Sequence, residues 1–200
     1  RVDLFVPMER LRAGVWPLVP ADCELTADRV SRSGIGAIQF GVREGGHGHD
    51  AGGHARHRGL QEILEMIAKA GLPERVASRA SLLFQRLGRV EADIHQQPVE
   101  RVHFHEVGAL DSIIDIVGAV WAIDALGVDR VCASPLNTGS GTVATAHGQL
   151  PVPAPATIRL LEGAPAYSSG VQAELLTPTG ALLVTGHATS YGPMPAMTIR

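Results

Sequence analysis

The run Val102-His103-Phe104-His105-Glu106-Val107-Gly108-Ala109-Leu110-Asp111-Ser112-Ile113-Ile114-Asp115-Ile116-Val117-Gly118 constrains this chain more than any other stretch. It sets His103, His105, Glu106, Asp111 and Asp115 among Ile113, Ile114, Ile116 and Val117. An ionised carboxylate buried without a partner is strongly destabilising. The sequence therefore predicts that these groups satisfy one another or hold a cation. His103 and His105 are two residues apart, so in an extended segment both point the same way, and Glu106 points to the other side or turns into the next element. A helix is expected from Leu110 to about Leu126, with Gly127 as its stop. Asp111 and Asp115 then lie four residues apart on one face, and Asp111 falls where the helix dipole favours a carboxylate. Gly118 and Ala122 continue that stripe and would let another backbone or a ligand come close. The plainer alternative is a solvated acidic stripe with a capping role.

Upstream, residues 7–16 read as a short helix with Met8, Leu11 and Val15 on one face and Pro7 at its start. Residues 24–30 and 35–42 read as two strands of a hairpin split by Ser33-Gly34. The stretch Gly45 to His57 has no large apolar residue and no periodicity, so a mobile surface loop is expected. Four of the nine histidines fall there: His47, His49, His54 and His57. Neutral imidazoles at that density suit metal handling. Leu60, Ile63, Leu64 and Ile67 mark an amphipathic helix stopped by Gly71, and Pro73 opens a second helix running to about Ile94.

Downstream, Val128 to Ala133 reads as a strand, Pro155 to Leu161 as a short helix, and the segment after Glu174-Leu175-Leu176 as a further helix capped by Thr177 or Thr179. Met197 to Arg200 reads as a strand. Gly139-Ser140-Gly141-Thr142 has the small residues of a phosphate-cradling loop, although it lacks a P-loop lysine and the dinucleotide spacing. His147, between Ala146 and Gly148, is sterically open as a metal ligand or proton carrier. The expected fold class is α+β, a mixed or mostly antiparallel sheet covered by helices, in one domain over 1–200 with a His/Gly-rich loop at 44–58.

Composition removes several function classes. A net charge of −3 supplies no basic face for nucleic acid. No apolar run is long enough to cross a bilayer, and no signal peptide is visible. Cys23 and Cys132 stand far apart in no metal spacing, which points to a reducing, cytoplasmic compartment. Arg1-Val2-Asp3-Leu4 reads like interior sequence, so flanking protein is expected on that side. A homo-oligomer is compatible with all of this.

With these residues in view, the chain resembles the LarC-type nickel-insertion proteins of the lactate racemase maturation system. The resemblance rests on residues 103–118, Ser134-Pro135-Leu136, Gly139 to Val143, Thr145-Ala146-His147-Gly148, Leu150 to Thr157, and Glu174 to Ala181. It implies insertion of nickel into pyridinium-3,5-bisthiocarboxylic acid mononucleotide, with two Ni–S bonds and one Ni–C bond formed. It also implies a metal-inserting enzyme of the lyase class, a need for CTP with Mn2+ or Mg2+, and lactate racemase apoenzyme or another nickel-pincer enzyme as client. Two family segments are not in this chain: an N-terminal Gly-Ile-Ser-Gly-Asp-Met type segment and the C-terminal domain expected to bind CTP.

The donor types agree, because imidazole and carboxylate suit borderline divalent ions such as nickel. His47, His49, His54 and His57 would capture the metal, and His103, His105, Glu106, Asp111 and Asp115 would form an inner site. Glu106 and His147 are the candidates for proton handling. Gly139, Ser140, Gly141 and Thr142, with Thr177 and Thr179, are the candidates for holding the mononucleotide. Two other readings use the same residues: a nickel carrier or storage protein without catalysis, and a metal-dependent hydrolase.

Overall fold

A computed structural model of the chain describes residues 6–44, 58–104 and 108–198. Within them the class is α+β, as the sequence predicts. Among the described residues the strands form five two-stranded sheets, three antiparallel and two parallel. The contacts divide the chain into two compact units: Arg1–Ser81 with His103–Gly127, and Leu82–Val102 with Val128–Arg200.

In the first unit, α1 (Met8–Val15) follows Pro7, whose carbonyl accepts from the N–H groups of Arg10 and Leu11. Strands β1 (Cys23–Arg32) and β2 (Ile35–Glu44) pair antiparallel in continuous register from Cys23–Glu44 to Arg32–Ile35. Ser33 and Gly34 turn the hairpin with φ of 51° and 83°, a region that glycine enters without penalty. Helix α2 (Leu60–Lys69) buries Ile63 and Ile67. Helix α4 (Leu110–Leu126) ends at Gly127, whose left-handed φ of 62° closes it as expected. Val15, Leu25, Leu110 and Ile114 form one buried cluster, flanked by Leu11, Phe40, Val42 and Met66. Helices α1 and α4 meet by small-to-large fitting. Gly14 lies under the Trp121 ring, and Gly118 lies under Val15 and Leu11. Gly118 therefore serves helix packing: of the two close approaches expected there, another chain segment or a ligand, the structure shows the first.

The second unit is built on the later part of α3 (Glu74–His95), with α5 (Pro155–Leu160) and α6 (Pro178–His187). Phe84, Leu87, Leu160 and Leu182 are completely buried. The Arg86 guanidinium donates to Thr185 Oγ1 and to the Leu160 carbonyl, both at 2.8 Å. The second bond satisfies an acceptor at the end of α5 that no helical N–H can reach. Strands β3 (Val131–Ala133) and β10 (Ala188–Tyr191) pair in parallel, as do β4 (Leu136–Asn137) and β8 (Ala166–Tyr167). Strands β5 (Gly139–Ser140) and β9 (Ala173–Glu174) run antiparallel, and β6 (Thr142–Thr145) with β7 (Gly148–Pro151) forms a hairpin. Met197 and Thr198 belong to no strand, which corrects the expectation there. Among the described residues no helix is long and apolar enough to cross a membrane, and neither Cys23 nor Cys132 forms a disulfide.

Candidate functional site

His103 is held in place from outside its own segment. It forms an isolated antiparallel bridge with Gly59, and the next N–H, of Phe104, donates to the Arg58 carbonyl at 3.4 Å. Phe104 is buried at 1% exposure and anchors the segment, while the adjacent His103 is exposed. This alternation is that of an extended chain with one side on the core. Gly108 passes so close to the Arg58 backbone that a side chain would have no room. Arg58 itself is buried at 7% exposure. Its guanidinium donates to the Gly108 carbonyl at 3.4 Å and lies 3.8 Å from the Glu62 carboxylate. A cleft of about 310 Å³ opens beside it, lined by Pro17, Pro20, Glu62, Met66 and Lys69 among others. The residues directly after Gly45–His57 thus lie against the start of the His103 motif.

Asp111 and Asp115 lie on α4 four residues apart, as predicted, and both side chains are exposed. Asp111 Oδ1 accepts from the Ser112 N–H at 2.7 Å. The helix buries Leu110, Ile113, Ile114, Ile116, Val117, Gly118 and Val120, leaving the two carboxylates outside that apolar surface. The expectation that His103, Asp111 and Asp115 are buried groups in need of a partner is corrected here. The apolar run around them is core-facing, and they are not. Asp115 is nevertheless raised above the ordinary carboxyl range, first by partial loss of solvent around it and then by the charge of Asp111. A raised native value means stability that is present below the unfolded pKa and lost as pH rises through the native one. Asp115→Asn removes that loss. The variant's melting temperature, compared with the parent's, should gain between pH 4 and pH 7, by thermal unfolding at both values. A variant that follows the parent's pH dependence unchanged excludes this electrostatic account.

His47, His49, His54, His57, His105 and Glu106 lie outside the described residues. Among the described residues, no three His, Cys, Asp or Glu side chains gather as a metal site.

The remaining candidates belong to the second unit. Gly139 N–H donates to Asn137 Oδ1 at 3.2 Å and Ser140 N–H to the Val171 carbonyl at 2.9 Å. The Ser140 hydroxyl donates to that same carbonyl at 2.9 Å and accepts from Gln172 Nε2 at 2.8 Å. These groups stitch β5 to its neighbours. Gly139, with φ of 76°, meets the Ala173 carbonyl so closely that a Cβ would collide with it. Gly141 and Thr142 are exposed. Thr177 caps α6, its hydroxyl accepting from the Gly180 N–H at 3.1 Å, and Thr179 sits in the first turn, half-buried.

His147 is exposed at the turn between β6 and β7, where its N–H donates to Thr145 Oγ1 at 3.1 Å. Its ring lies 4.9 Å from that of His95, centroid to centroid, at 45°. Glu91 Oε2 is 3.5 Å from His95 Nε2. Sequence reasoning passes over Arg58, Glu91 and His95. The Glu91–His95 spacing of one helical turn was a usable signal; the meeting with His147 was not visible.

The family described as nickel insertion protein matches residues 1–200, and the chain belongs to that family. A pyridinium-3,5-bisthiocarboxylic acid mononucleotide nickel insertion protein of Geobacillus kaustophilus is 42% identical over 203 residues, covering 99% of this chain and 49% of the relative. One of the same description from Desulfitobacterium hafniense is 46% identical over 176 residues, covering 88% of this chain and 42% of the relative. The chain thus spans about half the length of these curated relatives. No solved structure matches it.

Proposed function

We propose that this chain is the metal-handling part of a protein that inserts nickel into pyridinium-3,5-bisthiocarboxylic acid mononucleotide. One observation carries the reading beyond family membership. The Gly59–His103 bridge places Gly59, two residues after His57 in sequence, beside the start of the His103 motif. In this reading His47, His49, His54 and His57 capture nickel and pass it to His103, His105, Asp111 and Asp115. Exposed imidazoles and carboxylates bind a divalent ion loosely enough to release it to sulfur donors, which a closed thiolate site would not.

Insertion makes two Ni–S bonds and one Ni–C bond, and the ring C–H proton must leave as the Ni–C bond forms. Glu106 is the base for that proton. His147, exposed at its hairpin tip, is available as proton carrier or ligand. Gly141, Thr142 and Thr179 meet the mononucleotide phosphate, while Gly139, Ser140 and Thr177 hold the backbone around them. CTP with Mn2+ or Mg2+ is assigned to the half of the full-length protein that this chain does not span, so no residue here is given a role toward it. Lactate racemase apoenzyme or another nickel-pincer enzyme is the client, in the cytoplasm.

The test is nickel insertion by the full-length protein with CTP and the organic precursor, followed by mass spectrometry of the cofactor. His103→Ala and Asp111→Ala should each lower the yield roughly 10- to 100-fold, the usual scale for losing part of a metal site. Wild-type yield from both variants would refute the inner site. Deleting residues 45–57 should slow insertion at limiting nickel and be offset by excess nickel. If that deletion instead abolishes all nickel binding, the chain is a carrier.

A further inference from the structure

His95 and His147 come from opposite sides of the second unit's sequence and meet at one point. His95 closes the last turn of α3 and is half-buried; His147 stands exposed at the β6–β7 turn. Their ring centroids are 4.9 Å apart, inclined at 45°. An imidazole nitrogen sits about 2.1 Å from a first-row divalent ion, which puts its ring centroid about 3.2 Å away; two rings bound side by side on one ion are then roughly 4.5–5 Å apart. The observed separation falls in that interval.

Glu91 supplies the second element of such a site. Its carboxylate lies 3.5 Å from His95 Nε2, one helical turn back along α3. Ligating histidines commonly direct their other ring N–H at a carboxylate, which sets the tautomer and the ring plane. At the hairpin tip, His147 stands between the small residues Ala146 and Gly148 and is exposed.

We infer that His95 and His147 form a two-imidazole site for a divalent nickel ion, with Glu91 as the carboxylate that orients His95. The inference rests on the nickel-handling reading above and gives His147 the ligand role. Imidazole ligands leave nickel able to pass to incoming sulfur donors. Such a site holds nickel weakly and exchanges it readily, as a hand-over point requires. The pair is separate from the His103 motif in sequence and uses none of its residues.

The test is a nickel chloride titration of the full-length protein with isotope-labelled histidine rings, read by NMR. A parallel sample carries Gln at positions 47, 49, 54 and 57. Paramagnetic nickel should broaden the His95 and His147 ring signals together, at the same substoichiometric addition. His147→Gln should abolish the broadening of His95, and Glu91→Gln should raise the nickel needed by about tenfold. Circular dichroism confirms that each variant is folded. Independent broadening of the two rings, or no broadening at either when the other histidine signals have vanished, overturns the site and marks the pair as ordinary ring packing. Because the readout is binding at two named rings, it separates from the wider reading. Paired broadening in a protein that inserts no nickel keeps this site and removes the proposed activity, and insertion without paired broadening does the reverse.

Discussion

Arg86→Met is expected to lower stability by about 2–4 kcal/mol, since hydrogen bonds to charged groups contribute about 1.5–3 kcal/mol and a stranded acceptor adds its own cost. The substitution keeps most of the aliphatic stem but removes both 2.8 Å bonds. Thr185 keeps a partner, because its hydroxyl also donates to the Ala181 carbonyl at 2.7 Å. The Leu160 carbonyl loses its side-chain donor. One guanidinium joins α3 to both α5 and α6, so the loss should fall on the whole second unit. Urea unfolding with an unchanged slope and a lower midpoint is the expected result. Arg86→Lys, which can reach only one acceptor at a time, should recover part of it. A shift under about 0.5 kcal/mol, the scatter of ordinary surface substitutions, would mean that Arg86 is not the tie between these helices.

Gly139→Ala is the second large effect, at about 2–5 kcal/mol. Forcing an L-residue into the left-handed region costs about 1–2 kcal/mol, and overfilling a packed site costs about 1–3 kcal/mol more. Both apply at Gly139, with φ of 76° and the Ala173 carbonyl in the way of a Cβ. Gly148 is the internal control. Its φ is 93°, but a Cβ there meets nothing within 4 Å, so Gly148→Ala should show only the conformational part, about 1–2 kcal/mol. Chemical denaturation of the two variants side by side measures the difference. Equal losses would exclude the close approach of β5 to β9 as the reason for glycine at 139.

Much of the local structure was legible in the sequence. Helix α4 runs from Leu110 to Leu126 with Gly127 left-handed behind it, as its periodicity and stop signal predict. The Ser33-Gly34 turn and the two strands around it are also legible. So is the cap of α6, where Thr177, one of the two candidates, takes the Gly180 N–H. Each of these depends on residues a few positions apart, where propensity, capping and φ preference act directly.

The candidate site was legible as residue types and not as geometry. The 102–118 run, together with the segments from Ser134 to Thr157 and Glu174 to Ala181, carries the resemblance to the family, and it supplies donors suited to a divalent ion. It also suggests that those donors are buried, because charged and apolar residues alternate within it. The helix resolves that mixture by turning Ile113, Ile114, Ile116 and Val117 inward and Asp111 and Asp115 outward. Gly118 shares a stripe with the aspartates in the helical count, yet α1 covers it.

What the sequence alone determined is the main helices and the β1–β2 hairpin, the family, and the chemical character of the groups that can meet a metal; the short strands β4 to β10 were not among its readings. Only the tertiary structure decided that Gly59 bridges His103, that Arg58 lies buried beside Gly108, and that His147 meets His95 with Glu91 behind it. The reason is physical. Local signals arise from hydrogen bonds and torsions within a turn or two, whereas contacts between distant segments depend on how apolar faces pack, and that packing is written in no single stretch of the chain.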